Sequence, residues 1–455
     1  MLHVKLLPCV GEELTCHQFN SQRSTFNFQH SPHMIESLKQ LSAEQPIWIQ
    51  VGQLLDGVSA PLKNAHLVYD HEQIHFVGAQ DQTPPAERLK PGQTEPDCIL
   101  NNHTVLPGLI DGHTHIFLEG AELDFAKRKA YQSQDAVDLL AASVERCRKL
   151  VKHGIIAMRD GGDKDGVGLF LSRHRPSGAA AEVFSPGPGI NRIKRYGSFF
   201  CEPFEDFETA EQVVDNRIQR GADHIKIVPT GIINFAKAAV VAKPQYTIEE
   251  VKALTSVSHQ RGKHVMAHAS GAIGIGIAIE GRVDTIEHGF FVSDEQLERM
   301  LELGTTWVPT FAPVQKQVDH ADAMGWNELE RENLQIILDN HAQSLRKAIA
   351  LGIPVLVGSD AGSCGVGHAE GLFYEMELLE RAGMPTLDVI NACTGGNAKC
   401  LLDNAHYGRI AVGNKSRFIL TEHQPLKSVS ELRKNKTVIY DEHVFDSSKS
   451  NMSGF

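Results

Sequence analysis

The sequence predicts an α/β fold, a (β/α)8 TIM-type barrel that carries a small β-sandwich domain built from N- and C-terminal segments. The first observation is that eight short apolar runs after Val105 alternate with longer amphipathic stretches. Apolar strands alternating with helices indicate a parallel sheet covered on both faces, and eight of them can close a barrel. The second is that short extended runs of a different kind flank this region on both sides.

The chain divides into three parts by the pattern of its residues. Residues 1–46 are polar and irregular, so we interpret them as an N-terminal extension. Residues 47–107 contain the extended runs IWIQVGQLLDG and NAHLVYDHEQIHFVGAQ, and residues 405–455 contain YGRIAVGNKSRFILTE. Because such runs are typical of antiparallel strands, we expect the two segments to form the small β domain together. Residues 108–404 are then the barrel.

Local patterns locate the barrel strands and two of its helices. The eight apolar runs are VLPGLIDGHTH, GIIAMRD, AEVFSPG, ADHIKIVPT, KHVMAHAS, DTIEHG, TTWVPT and PVLVGSD. Thr247 with Glu250, and Ser293 with Gln296, have the spacing of a capping box, which bonds the free N–H groups at a helix start. We therefore expect helices to begin after Thr247 and after Ser293, each between two predicted strands.

Composition excludes several classes of partner. The chain has 455 residues with 44 Lys and Arg against 56 Asp and Glu, and its net charge of −12 disfavours binding to nucleic acid or to an anionic membrane. It has no apolar run of about 18 residues and no apolar core of a signal peptide, so we expect a cytoplasmic protein without a membrane partner. Its eight cysteines form no CxxC pair, which indicates reduced, mostly buried thiols.

Polar side chains gather where the predicted barrel strands end. The ends of strands one, four, five, six and eight carry His113, His115, Lys226, His268, His288 and Asp360. Barrel proteins keep their active sites at this rim, and imidazoles with a carboxylate suit zinc better than calcium or magnesium. Taken singly, each has an ordinary structural explanation: a core histidine, an ion-paired lysine or a helix-capping aspartate. Their coincidence on one rim favours a metal site.

At these residues the sequence resembles a known family. The runs LPGLIDGHTH, HIKI, VMAHAS, IEHG and GSDAG are similar, in order, to the metal-ligand motifs of the amidohydrolase superfamily. The details resemble its prolidase-like and imidazolonepropionase-like branch, where a GADxIKI strand precedes a QxSxEE helix start, here GADHIKI and PQYTIEE.

The resemblance implies a binuclear metal centre. Lys226 would be N-carboxylated by CO2 and would bridge two divalent ions, which we expect to be zinc. The implied ligands of one ion are His113, His115, Lys226 and Asp360, and those of the other are Lys226, His268 and His288.

The resemblance also implies an activity. We expect a metal-dependent hydrolase of an amide or peptide-like C–N bond, in an N-acyl amino acid, a dipeptide or a cyclic amide. A metal-bridging hydroxide would be the nucleophile, and Asp360 would be the catalytic residue that passes its proton to the leaving amine. Two divalent ions against a carbamate, Asp360 and hydroxide leave about one positive charge, which favours a small substrate bearing a carboxylate.

Substrate contacts are predicted on two segments. The loop after strand three, GPGINRIKRYGSFF, offers Arg192, Arg195 and Tyr196, and an arginine fork can bind a carboxylate bidentately. The alternative is a solvated basic loop. His368, after strand eight, is a further candidate. We expect Arg159 and Asp160 to form a structural ion pair.

Two other functions compete with this hypothesis, and a homo-oligomer is compatible with either. A mononuclear deaminase or imidazolonepropionase-like cyclic amidohydrolase uses the same scaffold. Deaminases of the superfamily have a glutamate three residues after the strand-five histidine, where this chain has Gly271, and Lys226 also favours the hydrolase. An inactive scaffold protein would be marked by lost ligands, whereas all six are present.

Overall fold

The computed structural model describes residues 45–401 and 406–447. The extension predicted for residues 1–46 therefore lies outside the described residues, except for its last two. Within the described ranges, no helix is long and apolar enough to cross a membrane. The six cysteines in these ranges are all free thiols, four buried and two half-buried, as the sequence predicts.

Strands and helices alternate through the middle of the chain, and strands alone flank it. The strands are β1 (Ile47–Leu54), β2 (Leu62–Tyr69), β3 (Ile74–Gly78), β4 (Cys98–Pro107), β5 (Leu109–Thr114), β6 (Ile155–Asp160), β7 (Glu182–Phe184), β8 (Gly189–Asn191), β9 (Cys201–Pro203), β10 (Ile225–Ile227), β11 (Val265–Ala269), β12 (Thr285–His288), β13 (Thr306–Val308), β14 (Arg417–Thr421), β15 (Thr437–Tyr440) and β16 (His443–Asp446).

The helices lie between β5 and β14. They are α1 (Phe125–Gln132), α2 (Ala136–Lys152), α3 (Val167–Arg173), α4 (Ala210–Gln219), α5 (Ile248–Gln260), α6 (Ala272–Glu280), α7 (Asp294–Leu303), α8 (Ala312–Asp319), α9 (Ala321–Met324), α10 (Glu328–Leu351), α11 (His368–Ala382), α12 (Thr386–Asn391) and α13 (Asn397–Leu401).

The two ends of the described chain share one sheet. Its seven strands have the order β16-β15-β14-β4-β1-β2-β3, and β4 pairs antiparallel with β14 through partners such as Leu106 and Ile419. The sheet contains strands from both flanking segments, and these strands do not separate into the two facing sheets expected of a sandwich. The ladder from β1 through β4 to β14 is continuous, so all seven strands belong to one hydrogen-bonded layer. Ile47, Ile49 and Val51 bury into a core that belongs to this sheet.

Parallel strands form the remainder. One sheet has the order β5-β6-β7, and the other has the order β13-β12-β11-β10-β8-β9. The eighth predicted strand, PVLVGSD, runs between them: single parallel bridges join Val355 to Trp307 of β13 and Ala361 to Thr114 of β5. The alternation of strands and helices predicted for this region is therefore present. Parallel pairing joins each of the following to its neighbours: β5, β10, β11, β12 and the eighth segment.

Both predicted capping boxes are confirmed. Thr247 accepts a hydrogen bond from the N–H of Glu250 and donates its own N–H to the Glu250 carboxylate, and α5 begins at the next residue. Ser293 and Gln296 do the same at the start of α7. These local bonds fix where each helix begins and, since the helices return the chain to the sheet, where the following strand starts.

Candidate metal centre

The six predicted ligands lie together at the carboxyl ends of the parallel strands. His113 is in β5 and His115 directly follows the end of that strand; because they are two positions apart, their side chains lie on the same side. The others come from β10, β11, the end of β12 and the eighth segment, and all six side chains are buried: His113, His115, Lys226, His268, His288 and Asp360.

Short distances connect these side chains. Asp360 Oδ1 lies 3.5 Å from His113 Nε2 and 3.7 Å from His115 Nε2. The ring centres of His268 and His288 are 4.4 Å apart, and those of His113 and His288 are 5.1 Å apart. Ligand atoms of His113, His288 and Asp360 all lie within 4.8 Å of one another, close enough to share one ion.

Two buried atoms in this cluster have no hydrogen-bond partner: His113 Nε2 and Lys226 Nζ. A buried polar atom without a partner costs about 1–3 kcal/mol, so folded proteins normally provide one. A divalent ion would give His113 Nε2 its partner, and Lys226 would gain two ligand oxygens as a carbamate. The donor set of imidazoles and a carboxylate is the one zinc prefers, so the residues present fit the implied ions.

Burial sets the protonation of the cluster. It lowers the pKa of His115 and of His268 to about 3 and that of His113 and His288 well below the ordinary value, so the rings are neutral near pH 7. Metal ligation requires this neutral form, in which one ring nitrogen has a free lone pair.

Hydrogen-bond partners outside the cluster orient three of the imidazoles. His115 Nδ1 donates to the carbonyl of Gly162 at 3.2 Å, and His288 Nδ1 lies 2.7 Å from Thr310 Oγ1. His113 Nδ1 lies 2.7 Å from Glu287 Oε2. Each bond fixes the tautomer, so that Nε2 is the free atom, which is how ligating histidines are usually held. The contact of His268 differs, because its Nε2 lies 3.4 Å from the carbonyl of Gly231.

Glu287 is a site residue that the sequence analysis missed. Its carboxylate is fully buried and bonds His113 on one side and Arg159 Nη1, at 3.1 Å, on the other. The available signal was an acidic residue directly before His288 in a short strand whose four residues are all buried. The ion pair expected between Arg159 and Asp160 is wrong: neighbours in a strand point to opposite faces, and Asp160 instead accepts the backbone N–H of Ile116.

The backbone is strained where two ligands leave their strands. His288 has a φ of 69° and Asp360 a φ of 52°, in the left-handed region that residues with a side chain rarely adopt. Each such residue costs about 1–3 kcal/mol, and these conformations are concentrated at functional sites. Close approach of the eighth segment to β5 depends on Gly358, where a Cβ atom would lie 2.6 Å from that of His113.

The predicted basic loop is largely occupied by internal contacts. Arg192 donates to the carboxylate of Glu250, has Glu205 at 3.6 Å, and lies between the rings of Phe204 and Tyr246 at 4.7 and 4.8 Å.

The other predicted substrate residues of the loop lie differently. Arg195 donates to the carbonyl of Lys243, and neither Arg192 nor Arg195 borders the two chambers at the centre. Tyr196 does border both, and its ring centre lies 5.1 Å from that of His268.

His368 lies in the core rather than facing the cluster. It begins α11, where its Nε2 donates to the carbonyl of Leu118 at 2.8 Å and its Nδ1 lies 3.3 Å from Thr114 Oγ1. Both ring nitrogens are therefore engaged within the protein. This arrangement gives no support to the predicted substrate contact of His368.

Two neighbouring chambers border the cluster, with volumes of about 430 and 500 Å³. Tyr196, His268, His288 and Asp360 border both of them. A molecule that spans the chambers would therefore have its middle beside the cluster. Clefts of this size are typical of small-molecule sites.

Comparison with known proteins identifies relatives over most of the chain. Ochratoxinase of Aspergillus niger is 24% identical, with 91% of this chain and 88% of that protein covered. Imidazolonepropionase of Cupriavidus taiwanensis is 22% identical, with 84% and 91% covered. A solved structure of a Xaa-Pro dipeptidase with bound methionine superposes with a TM-score of 0.73 at 26% identity, covering 88% of this chain and all of that one.

The family model described as Amidohydrolase family matches residues 104–440, which include all six clustered side chains. The relatives agree with the prolidase-like and imidazolonepropionase-like branch to which the motifs are similar. Sequence motifs, clustered ligands and relatives lead to one assignment: the chain belongs to the amidohydrolase family, and the protein is an enzyme that hydrolyses carbon–nitrogen bonds.

Proposed function

We propose that this enzyme is a binuclear metal-dependent hydrolase of an amide or peptide-like C–N bond in a small substrate. The substrate would be an N-acyl amino acid, a dipeptide or a cyclic amide. The observation that carries the proposal is the pair of buried atoms without partners, His113 Nε2 and Lys226 Nζ, beside the Asp360 carboxylate. The names of relatives, ochratoxinase and Xaa-Pro dipeptidase among them, support a bond of this type.

Lys226 is suited to carboxylation. Burial lowers the pKa of its amine to about 8, so a neutral fraction exists at physiological pH. The ammonium first loses one proton, and the neutral nitrogen can then attack the carbon of CO2, forming an N–C bond as one C=O π bond becomes a C–O⁻. Loss of a second proton from the nitrogen completes the carbamate, so that the side-chain charge changes overall from +1 to −1. The resulting carbamate would offer two ligand oxygens to the ions. His113, His115 and Asp360 would complete one ligand set, and His268 and His288 the other.

When bound, the two divalent ions, which we propose to be zinc, would polarise the substrate carbonyl and lower the pKa of water from about 15.7 to roughly 7. The protein's own side chains would transfer the proton and bind the substrate. Asp360 accepts the proton of the attacking water and donates it to the leaving nitrogen. Tyr196, whose pKa burial raises above its usual value, stays protonated and can donate a hydrogen bond to the substrate.

A mononuclear enzyme, such as a cyclic amidohydrolase, is the second candidate. It is favoured by the tight group of His113, His288 and Asp360, which is sufficient for one ion. A deaminase is disfavoured, because Gly271, the residue just before α6, lies at the position where a deaminase would need a glutamate.

We also propose that the parallel strands close into a (β/α)8 barrel of residues 108–404, with residues 47–107 and 405–455 as a separate β domain. Support comes from β7 and β8, which are consecutive in the chain. β7 pairs with β6 and β8 pairs with β10, so residues 182–191 connect the two parallel sheets.

Metal analysis tests the function. The purified protein should hold close to two divalent ions per chain, and Lys226→Ala should lose metal together with at least a hundredfold of its activity toward N-acyl amino acids and dipeptides. Lys436→Ala is the matched control: burial also lowers the pKa of that lysine to about 8, but its amine donates to the carbonyls of Leu432 and Lys434. One ion per chain would favour the mononuclear candidate. Unchanged metal content in Lys226→Ala would contradict the bridging role.

A further inference from the structure

Thr310 bonds one of the clustered imidazoles from a strained backbone position. Its φ is 51°, in the left-handed region that a β-branched residue rarely adopts, and the residue is fully buried. Its hydroxyl donates to the carbonyl of Pro309 at 2.8 Å. The hydroxyl oxygen is therefore left to accept the Nδ1 proton of His288, 2.7 Å away, and Nε2 of that ring stays free for an ion.

A strained residue keeps its conformation only where its surroundings hold it. The chain is held on both sides of Thr310. On the side of β13, the carbonyl of Pro309 also accepts the Nε2 proton of His341 at 3.1 Å. On the other side α8 begins, and the first N–H groups of a helix have no acceptor within the helix. Their acceptor must come from another element.

Glu375, in the middle of α11, provides that acceptor. Its Oε1 accepts the N–H of Phe311 at 2.9 Å, and its Oε2 accepts the N–H of Ala312 at 2.7 Å. The next residue, Pro313, has no N–H group to bond. Glu375 therefore fixes the start of α8, directly after the strained residue.

The carboxyl group of Glu375 is fully buried and has little else to bond. In the described part of the chain it takes part in no ion pair, and the charged groups that raise its pKa are carboxylates, Asp111 and Asp360. Burial is the main cause that brings this pKa to about 8. Ionised or protonated, both oxygens keep a lone pair for the two N–H groups. Burying a polar group is costly unless its hydrogen bonds are made, so these two bonds are what the residue contributes.

We propose that Glu375 is a positioning residue of the metal centre, and that it acts through Thr310. Its two bonds to the start of α8 hold Thr310 in the conformation in which the hydroxyl accepts from His288. Glu375 itself lies outside the cluster and borders neither chamber. This inference rests on the proposed metal-dependent function and adds to it a residue of α11.

Competition with a chelator tests the proposal on the purified protein. Glu375→Gln keeps the size of the side chain, but the amide nitrogen has no lone pair, so one N–H group loses its acceptor. The affinity for zinc should fall by about tenfold, at the lower end of the effects seen when a partner of a ligating histidine is lost. Thr310→Val removes the hydroxyl and keeps the branched shape, and it should lower the affinity by about 10–100-fold.

The double variant separates positioning from a general loss of stability. If Glu375 acts through the hydroxyl of Thr310, then Glu375→Gln should lower the affinity no further once Thr310→Val is present. A merely structural role would lower the affinity by the same factor in both backgrounds. That result would overturn the proposal.

Glu380→Gln is the matched control on the same helix. The Glu380 carboxylate accepts from Thr386 Oγ1 at 2.7 Å, from Ser428 Oγ at 2.7 Å and from the N–H of Val429 at 3.2 Å. The control variant should unfold at a lower urea concentration and bind zinc as the wild type does. A fall in affinity equal to that of Glu375→Gln would overturn the proposal, since any weakening of α11 would then suffice.

Nuclear magnetic resonance of the metal-free protein with isotope-labelled histidine tests the bond itself. The Nδ1 proton of His288 should exchange slowly with water, because it is buried and bonded to Thr310. Its signal should be lost in Thr310→Val and should exchange faster in Glu375→Gln. An unchanged signal in Glu375→Gln would overturn the positioning role. If the wild type binds no divalent ion, the proposed function is wrong, whereas this signal still shows whether Glu375 orients His288.

Discussion

The clustered strand ends and the loop after β8 both carry polar side chains at the same rim, yet their bonding is opposite. In the cluster, His113 Nε2 and Lys226 Nζ are buried without partners. In the loop, Arg192 bonds Glu250 and lies against two rings, and Arg195 bonds a backbone carbonyl. Polarity at this rim therefore does not by itself separate side chains with free bonding capacity from those already engaged within the protein.

The largest effect should follow a change inside the cluster. Asp360→Asn keeps the shape of the side chain but removes its charge and basicity, so kcat should fall by roughly 10²–10⁴, as for other losses of general acid–base catalysis. Steady-state kinetics with an N-acyl amino acid or dipeptide measures the change in kcat. Ser363→Ala is the control, because its hydroxyl only donates to Asp360 Oδ2 at 2.9 Å. A near-normal kcat in Asp360→Asn would mean that another group moves the proton.

A smaller effect should follow a change one contact away from the cluster. Glu287→Gln weakens the bond that orients His113, and partners of this kind affect metal affinity or activity by about 10–100-fold. Competition with a chelator measures the affinity. The change also deprives Arg159 of its counter-charge, so the double variant with Arg159→Met separates the two effects. A loss of stability with unchanged metal affinity would mean that Glu287 stabilises the fold but does not affect metal binding.

His341 is a buried imidazole outside the cluster, and its Nδ1 has no hydrogen-bond partner. Its Nε2 donates to the carbonyl of Pro309 at 3.1 Å, its ring stacks on Phe290, and burial lowers its pKa to about 3. The unfolded chain takes up a proton near pH 6.5 and the folded one does not. The free energy of unfolding therefore falls as the pH drops below that value, by up to about 1.4 kcal/mol per pH unit.

His341→Gln keeps a donor but cannot titrate in this range. Urea denaturation of chelator-treated protein between about pH 5 and pH 7 should give a shallower dependence for the variant than for the wild type. Chelation removes the contribution of metal release from both. Parallel curves would show that His341 is protonated in the folded protein.

The smallest effect on catalysis should follow a change in the loop. Arg192→Met removes a partly exposed ion pair and two ring contacts, so the free energy of unfolding should fall by about 1 kcal/mol. The ratio of kcat/KM for an acid substrate to that for its carboxamide should stay unchanged. A selective rise in KM for the acid would instead indicate that Arg192 binds the substrate carboxylate. It would contradict the contrast drawn between the cluster and the loop after β8.

The cluster and the loop after β8 also show which features of the structure could be predicted from the sequence. Strand geometry fixes which side a residue faces, so His113 and His115 could be placed on one face from their spacing alone. The capping residues Thr247 and Ser293 act within four residues of themselves, and both helix starts were predicted correctly. The family motifs supplied the remaining strand ends in order.

What could not be predicted depends on contacts between distant parts of the chain. The partners of Arg192 are 13 and 58 residues away, at Glu205 and Glu250. Glu287 bonds His113 although the two residues are 174 positions apart in the sequence, and no local sequence pattern predicts that bond. Arg128 lies in α1 between β5 and β6, where a basic residue usually means a solvated surface, but it is buried and bonds the carbonyl of Gly362, 234 residues away. Only the packed structure separates these cases.

The pairing of β4 with β14 has a consequence for how the protein is made. The ladder partner of Leu106 is Ile419, so all the parallel strands are synthesised before the edge of β4 is covered. Until then β4 presents unpaired N–H and C=O groups of the kind that recruit other chains. Translation that stalls before Arg417 would leave a nascent product with this edge open, and such products should depend on chaperones far more than the finished enzyme does.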